Sequence, residues 1–255
     1  MKRAWAKALS FGILSVAVAA LSPACADNSE SLYIQGVVIP PAVTNGPCVY
    51  QADAQAGLLL SGKLDIAARS DYSAPIIVRN QLQSRVNRDT NRTEPNRFVV
   101  EGTITRVTFP SGEVVDEFSS FASRVIDPDP GQQPGSGVVS ALLVSPNTIA
   151  QIKAKRGEFN DRRKEVAVIA NVKVFGRTLG GVEVESAEFP FPITVCRGCA
   201  INFSCASATL GCGGAIDSTT QGCAPVCNVG QDQPYPCQLC ITGDPACAFP
   251  PKDTF

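Results

Sequence analysis

Nine of the eleven cysteines lie between Cys196 and Cys247, in a stretch otherwise dominated by Gly, Ser, Thr, Gln and Pro. A segment of that composition cannot bury enough apolar surface to build a core, so it must be cross-linked to hold a shape. Three chemistries compete for its thiols. Cys196-x2-Cys199 with Cys237-x2-Cys240 has the ligand pattern of a four-thiolate zinc site. However, 37 residues separate the pairs and Cys205, Cys212, Cys223, Cys227 and Cys247 would be left over. A redox centre at either CxxC needs a helix N-terminus or a cation to depress a thiol pKa. Arg197 supplies a charge, but the flanks read as strand and loop, with no βαβ pattern around them.

Disulfide staples fit the compartment that the N-terminus implies. Lys2, Arg3 and Lys7 precede an apolar run from Ala8 to Leu21, then small residues from Ser22 to Ala26, with no acidic residue before Asp27. This is the order of a secretory signal over 1–24, and the apolar run is short of the ~20 residues that span a bilayer. Export carries the thiols into an oxidising compartment. Cys25 apart, ten cysteines remain, nine of them in the tail, so the odd tail needs an outside partner and Cys48 is the only one there is. Cys48 is therefore expected to pair with a tail cysteine, Cys196 or Cys199 at the end of the last strand being favoured, closing a loop of about 150 residues worth roughly 4–5 kcal/mol in the chain-entropy model. The remaining pairings stay open, because ten cysteines allow ~900 connectivities.

Residues 32–195 have a different character, with short runs rich in Val, Ile, Thr and Phe broken by Gly, Pro, Asn and Asp. The clearest run is Val166–Val174, whose even positions are all apolar, as one buried strand face demands. Further runs at Leu32–Ile39, Leu58–Ala67, Ile76–Leu82, Phe98–Phe109, Val114–Ile126, Val138–Val144 and Val182–Val195 make eight or nine strands. Apolar parity slips near Ser186 or Ala187 and again inside Phe98–Phe109, which implies bulges. Ser145, Pro146, Ile149, Ile152, Lys153, Lys155, Arg156 and Gly157 mark one helix with its cap, apolar face, basic end and stop. The fold expected is all-β: an antiparallel immunoglobulin-like β-sandwich over 32–195 with one short helix, then a disulfide-rich, mostly irregular segment over 196–247 and a flexible tail over 248–255. The polar stretches Asn80–Arg97 and Asp127–Gly137 read as mobile surface loops. Asp127 and Asp129 lack the full spacing of a calcium loop and are read as solvated.

Composition removes several function classes. There is no histidine, which excludes Ser-His and Cys-His nucleophile pairs and every His-containing zinc site. Losing Lys2, Arg3 and Lys7 from 22 basic and 23 acidic residues leaves an excess of four carboxylates, a balance that does not suggest nucleic acid. No catalytic, cofactor-binding or metal motif emerges. Glu183 and Glu185 share a strand face and are the pair a glycan hydrolase would use. Adjacent carboxylates on a strand are more often its solvated side.

Leu21-Ser22-Pro23-Ala24-Cys25 resembles the lipobox of bacterial lipoproteins, with Leu one place early and Pro23 where a small residue is usual. That resemblance implies cleavage before Cys25, acylation of Cys25 and a tether over 25–31; Ala26 rather than Asp beside it implies the outer membrane. Ala24-Cys25-Ala26 also fits ordinary cleavage after Ala26, with a periplasmic or secreted product. Cys25 together with "FPITVCRGC" and "VGQDQPYPCQLC" is similar to the cysteine-rich surface lipoproteins of Gram-negative bacteria, a likeness that carries no activity with it. The role expected is a non-catalytic, membrane-anchored envelope protein, structural or binding a protein or glycan of the envelope. The alternatives are a hydrolase using paired carboxylates or a protease-inhibitor-like module in the tail.

Overall fold

The computed structural model describes residues 31–41, 48–52, 57–85, 93–131, 133–160, 164–205, 212, 223, 226–240 and 244–247. The signal-like segment 1–24, the lipidation position Cys25 with the tether up to residue 30, and the tail 248–255 lie outside these residues.

Two sheets share one hydrophobic core. The first contains β1 (Leu32–Val38), β2 (Leu58–Leu59), β4 (Tyr72–Asn80) and β7 (Gly135–Val144) in the order β2-β1-β4-β7, antiparallel throughout. The second contains β3 (Gly62–Asp65), β5 (Phe98–Thr108), β6 (Val114–Ile126), β8 (Val166–Thr178) and β10 (Phe189–Cys196) in the order β3-β10-β8-β5-β6, with β9 (Glu183–Glu185) also on β8. Its pairs are antiparallel except β3 with β10. In the tail, β11 (Ile201–Asn202) and β12 (Tyr235–Pro236) form a short parallel pair.

The alternation read in β8 becomes its packing. Val168, Ala170, Val172 and Val174 are fully buried, while Asn171 and Lys173 lie on the opposite face. They join Ile76, Val78, Ala141 and Leu143 of the first sheet in a single cluster. Thr105, buried on the second sheet, donates from Oγ1 to the Leu142 carbonyl of the first at 2.8 Å, so its hydroxyl is satisfied inside the core.

Helix α1 (Pro146–Arg156) has a reciprocal cap: Ser145 Oγ accepts from the Thr148 amide at 3.0 Å, and Thr148 Oγ1 accepts from the Ser145 amide at 3.2 Å. Both hydroxyls also donate to Asp116 Oδ2 of β6, at 3.2 and 2.7 Å, which fixes the helix against the second sheet. Ile149 and Ile152 are buried beneath it.

Register shifts occur where parity slipped. In β5 one falls between Val100 and Gly102 against both neighbours. At Ser186 the chain leaves the ladder, its amide donating to the Val174 carbonyl at 2.9 Å while its Oγ accepts from the Val174 amide at 3.0 Å. The hydroxyl thus stands in for a missing strand carbonyl, and the apolar face changes parity beyond it.

Other boundaries differ from expectation. The run Leu58–Ala67 is two strands in different sheets, because the chain bends at Leu60 and Ser61. β4 begins at Tyr72, four residues earlier than its apolar core suggested. In the stretch Asn80–Arg97, whose residues 86–92 lie outside the described ones, the two described ends are less loop-like than their polarity implied. Asn80 is buried and donates from Nδ2 to the Asn96 and Ile126 carbonyls, and the buried Glu94 carboxylate accepts from Ser84 Oγ at 2.7 Å and the Asn96 amide at 2.9 Å. Short polar side chains here replace ladder partners, so polarity alone misread the two loop bases.

Candidate functional site

The cysteines pair as Cys48–Cys227, Cys196–Cys199, Cys205–Cys223, Cys212–Cys237 and Cys240–Cys247. The expected bridge from Cys48 to Cys196 or Cys199 is therefore corrected. Cys48 does reach the tail, but its partner is Cys227, because Cys196 and Cys199 close on each other across a tight loop at the end of β10.

Asp65, the last residue of β3, builds that loop. Fully buried, it accepts from the Gly198 amide at 2.6 Å and the Ala67 amide at 3.0 Å on Oδ1, and from the Ala200 amide at 2.9 Å on Oδ2. Tyr235 of β12 also donates to it; burial and then the adjacent Asp65 charge push the Tyr235 phenol well above its usual range. The Asp65 oxygen and both sulfurs lie within 4.8 Å of one another, a donor set of three for a soft cation. With the sulfurs bonded to each other there is no thiolate to ligate, and the carboxylate is already committed to amides. Arg197, the one cation inside the motif, is paired with Asp244 at 3.1 Å. The arrangement is a clamp, with Asp65 as its keystone.

Further along the chain, at residues 230–232, the tail becomes part of the sheet edge at β3. The Asp65 amide donates to the Gly230 carbonyl at 2.7 Å, Gln231 bridges to Leu64, and the Asp232 amide donates to the Lys63 carbonyl at 2.9 Å. Asp232, at φ 63°, turns its carboxylate back to accept from the Lys63 amide at 2.9 Å and from Tyr72 Oη at 2.9 and 2.8 Å. Gln231, buried, exchanges hydrogen bonds with both backbone groups of Ser73. Burial raises the Asp232 carboxyl above its usual range despite the three donors around it, the Lys63 amide, Tyr72 Oη and Gln231 Nε2 at 3.3 Å. The Tyr72 phenol rises too, from burial first and the Asp232 charge second. The absence of a side chain at Gly62 makes room for this: a Cβ there would collide with the Tyr72 hydroxyl and stand 2.9 Å from the Phe191 ring.

A second feature lies on the outer face of the second sheet. An open groove of about 520 Å³ is lined by Ile104, Glu117, Phe118, Ser119, Phe175 and Glu185. The sequence pair Glu183 and Glu185 is exposed on either side of buried Val184, and the two have separate surroundings. Glu183 stands opposite Arg177, whereas Glu185 stands opposite Phe175 on the groove rim. Asp127 pairs with Arg97 at 2.6 Å and Asp129 accepts from the Gly131 amide at 2.7 Å.

Asp65, Tyr72, Gln231 and Asp232 were not singled out from sequence. The one available signal was an acidic residue, Asp65, interrupting the apolar run Leu58–Ala67. No protein-family model and no curated protein matches this chain.

Proposed function

We propose that this protein is a non-catalytic envelope lipoprotein, anchored through acylated Cys25, in which an immunoglobulin-like sandwich holds the stapled tail away from the membrane and offers it for binding. The observation that carries this reading is the placement of chain entry and tail at opposite ends of β4. Ser31 accepts from the Gln81 amide at 2.9 Å and Leu32 pairs with Asn80, while the tail docks on Tyr72 and Ser73. The nine residues of β4 separate those ends by about 27 Å. The six residue steps from Cys25 to Ser31 reach at most about 20 Å, so the loop end faces the bilayer and the tail faces outward.

The strand order supports an immunoglobulin-like sandwich of variable type. Taking β1 with β3 as the first strand, β4 as B, β5 as C, β6 as C′, β7 as E, β8 as F and β10 as G gives sheets A-B-E and A-G-F-C-C′. The bond that crosses a B–F pair in antibody domains has no counterpart in β4 and β8, which carry no cysteine. Cys48–Cys227 and the Asp232 contacts hold the edge instead.

Intact mass of the exported protein tests the anchor. Two acyl chains on glycerol plus an N-acyl group on Cys25 are expected, with loss of membrane partition in Cys25→Ser. A mature chain beginning at Asp27 without acyl mass overturns the anchored reading. On liposomes, an antibody to the tail should bind while one to residues 81–85 is shielded; the reverse pattern overturns the orientation.

A further inference from the structure

We propose that the groove on the outer face of the second sheet docks an extended segment of a partner protein that carries a lysine or arginine flanked by apolar side chains. The inference rests on the binding role proposed above. If the loop end faces the bilayer, the sheet face and the tail are the surfaces left for a partner.

Strand register builds the groove. Ile104 stands between Ser119 on β6 and Lys173 on β8, and Gly102 stands between Phe121 and Phe175. The Phe175 ring rests over Gly102, where a Cβ would come within 2.6 Å of the ring, so a glycine in the strand shapes this wall. Phe121, on the next strand, is 86% exposed in the middle of a long edge strand. Exposed aromatic area of this kind is what protein interfaces enrich and free surfaces do not.

Charge selects the occupant. Glu117 is paired with Arg106 at 3.0 Å and Glu101 with Arg177 at 2.6 Å. Glu185 pairs with Phe175 through the β9–β8 ladder, but its carboxylate, on the rim, has no hydrogen-bond or ion-pair partner among the described residues. A segment that packs on Ile104 and Phe175 strips water from that carboxylate. The loss is unfavourable unless the segment brings a cation, which Glu185 and the face of Phe175 would hold together. A neutral glycan replaces water with hydroxyls but leaves the charge uncompensated.

The test is selection of a random dodecapeptide phage library on the oxidised protein in solution, followed by calorimetry of the selected peptide. A consensus with a basic residue and apolar residues at alternate positions is expected. Binding should weaken at least tenfold in Glu117→Gln/Glu185→Gln, also in Phe121→Ser, and with added salt. All three substitutions fall at exposed positions, so the fold persists. A consensus without a basic residue, no selected peptide, or equal affinity for the Gln variant overturns the proposal. So does a neutral oligosaccharide that binds this face independently of salt. The measurement needs no membrane, so a missing acyl chain on Cys25 would leave its outcome intact.

Discussion

Removing Cys48 and Cys227 together, as Cys48→Ser/Cys227→Ser, isolates the one disulfide of the five that joins the tail to the sheets. The other four close within residues 196–247, over separations of 3, 18, 25 and 7 residues, whereas this one spans 179. In the chain-entropy model a loop of that length restricts the unfolded chain by about 5 kcal/mol, against about 3 kcal/mol for the Cys205–Cys223 loop. Urea unfolding under non-reducing conditions reads the difference. With a slope near 2–3 kcal/mol/M for a chain of this size, the midpoint should fall by roughly 2 M. The Cys205→Ser/Cys223→Ser variant should lose about 1 M on the same arithmetic. A midpoint shift below about 0.3 M for the first variant, or a larger shift for the second, would refute the reasoning. It would mean that Asp65, Asp232 and the Arg197–Asp244 pair hold the tail without help from loop closure.

Three further perturbations address the seam itself. Tyr72→Phe keeps the ring packed but leaves the half-buried Asp232 carboxylate short of a donor, which should cost about 1.5–3 kcal/mol in urea unfolding; a change under about 0.5 kcal/mol would mean that water replaces the hydroxyl. Gly62→Ala pushes a methyl into the Tyr72 hydroxyl and the Phe191 ring, and is expected to destabilise by about 1–3 kcal/mol and to speed proteolysis of the tail, whereas wild-type melting would show that the strand yields. Asp232 supplies a pH signature. Because burial raises its carboxyl in the folded state, the folded protein binds that proton more tightly than the unfolded chain does. Its contribution favours folding at pH below the ordinary value of 3.8 and is withdrawn as pH rises from there through the raised folded value. Asp232→Asn removes that segment, so subtracting the variant's midpoint from the wild type's between pH 3.5 and 6.5 should give a difference that falls with rising pH. A flat difference would place the Asp232 carboxyl at its unfolded value.

Sequence alone determined what is encoded by near neighbours. Even-position valines specify the buried face of β8, Ser145 and Gly157 bound α1, and the parity change at Ser186 announces a bulge. Each depends on residues a few positions apart, whose spacing is dictated by strand or helix geometry. The odd number of tail cysteines likewise required a partner at Cys48. It could not select Cys227, because the ten thiols are chemically alike and only folding decides which pair meets. The seam was illegible for the same reason. Asp232 finds Lys63 and Tyr72 across 169 and 160 residues, and Asp65 finds Gly198 across 133. Beyond the apolar run that Asp65 interrupts, no local pattern set them apart, and burial became tolerable only once the tail and the sheet edge supplied each other's donors. Glu185 shows both levels. Its alternation with Val184 put it on the solvent side of β9, but only the pairing of β9 with β8 and of β8 with β5 set it beside Phe175 and Ile104, at the rim of a groove that no local pattern describes.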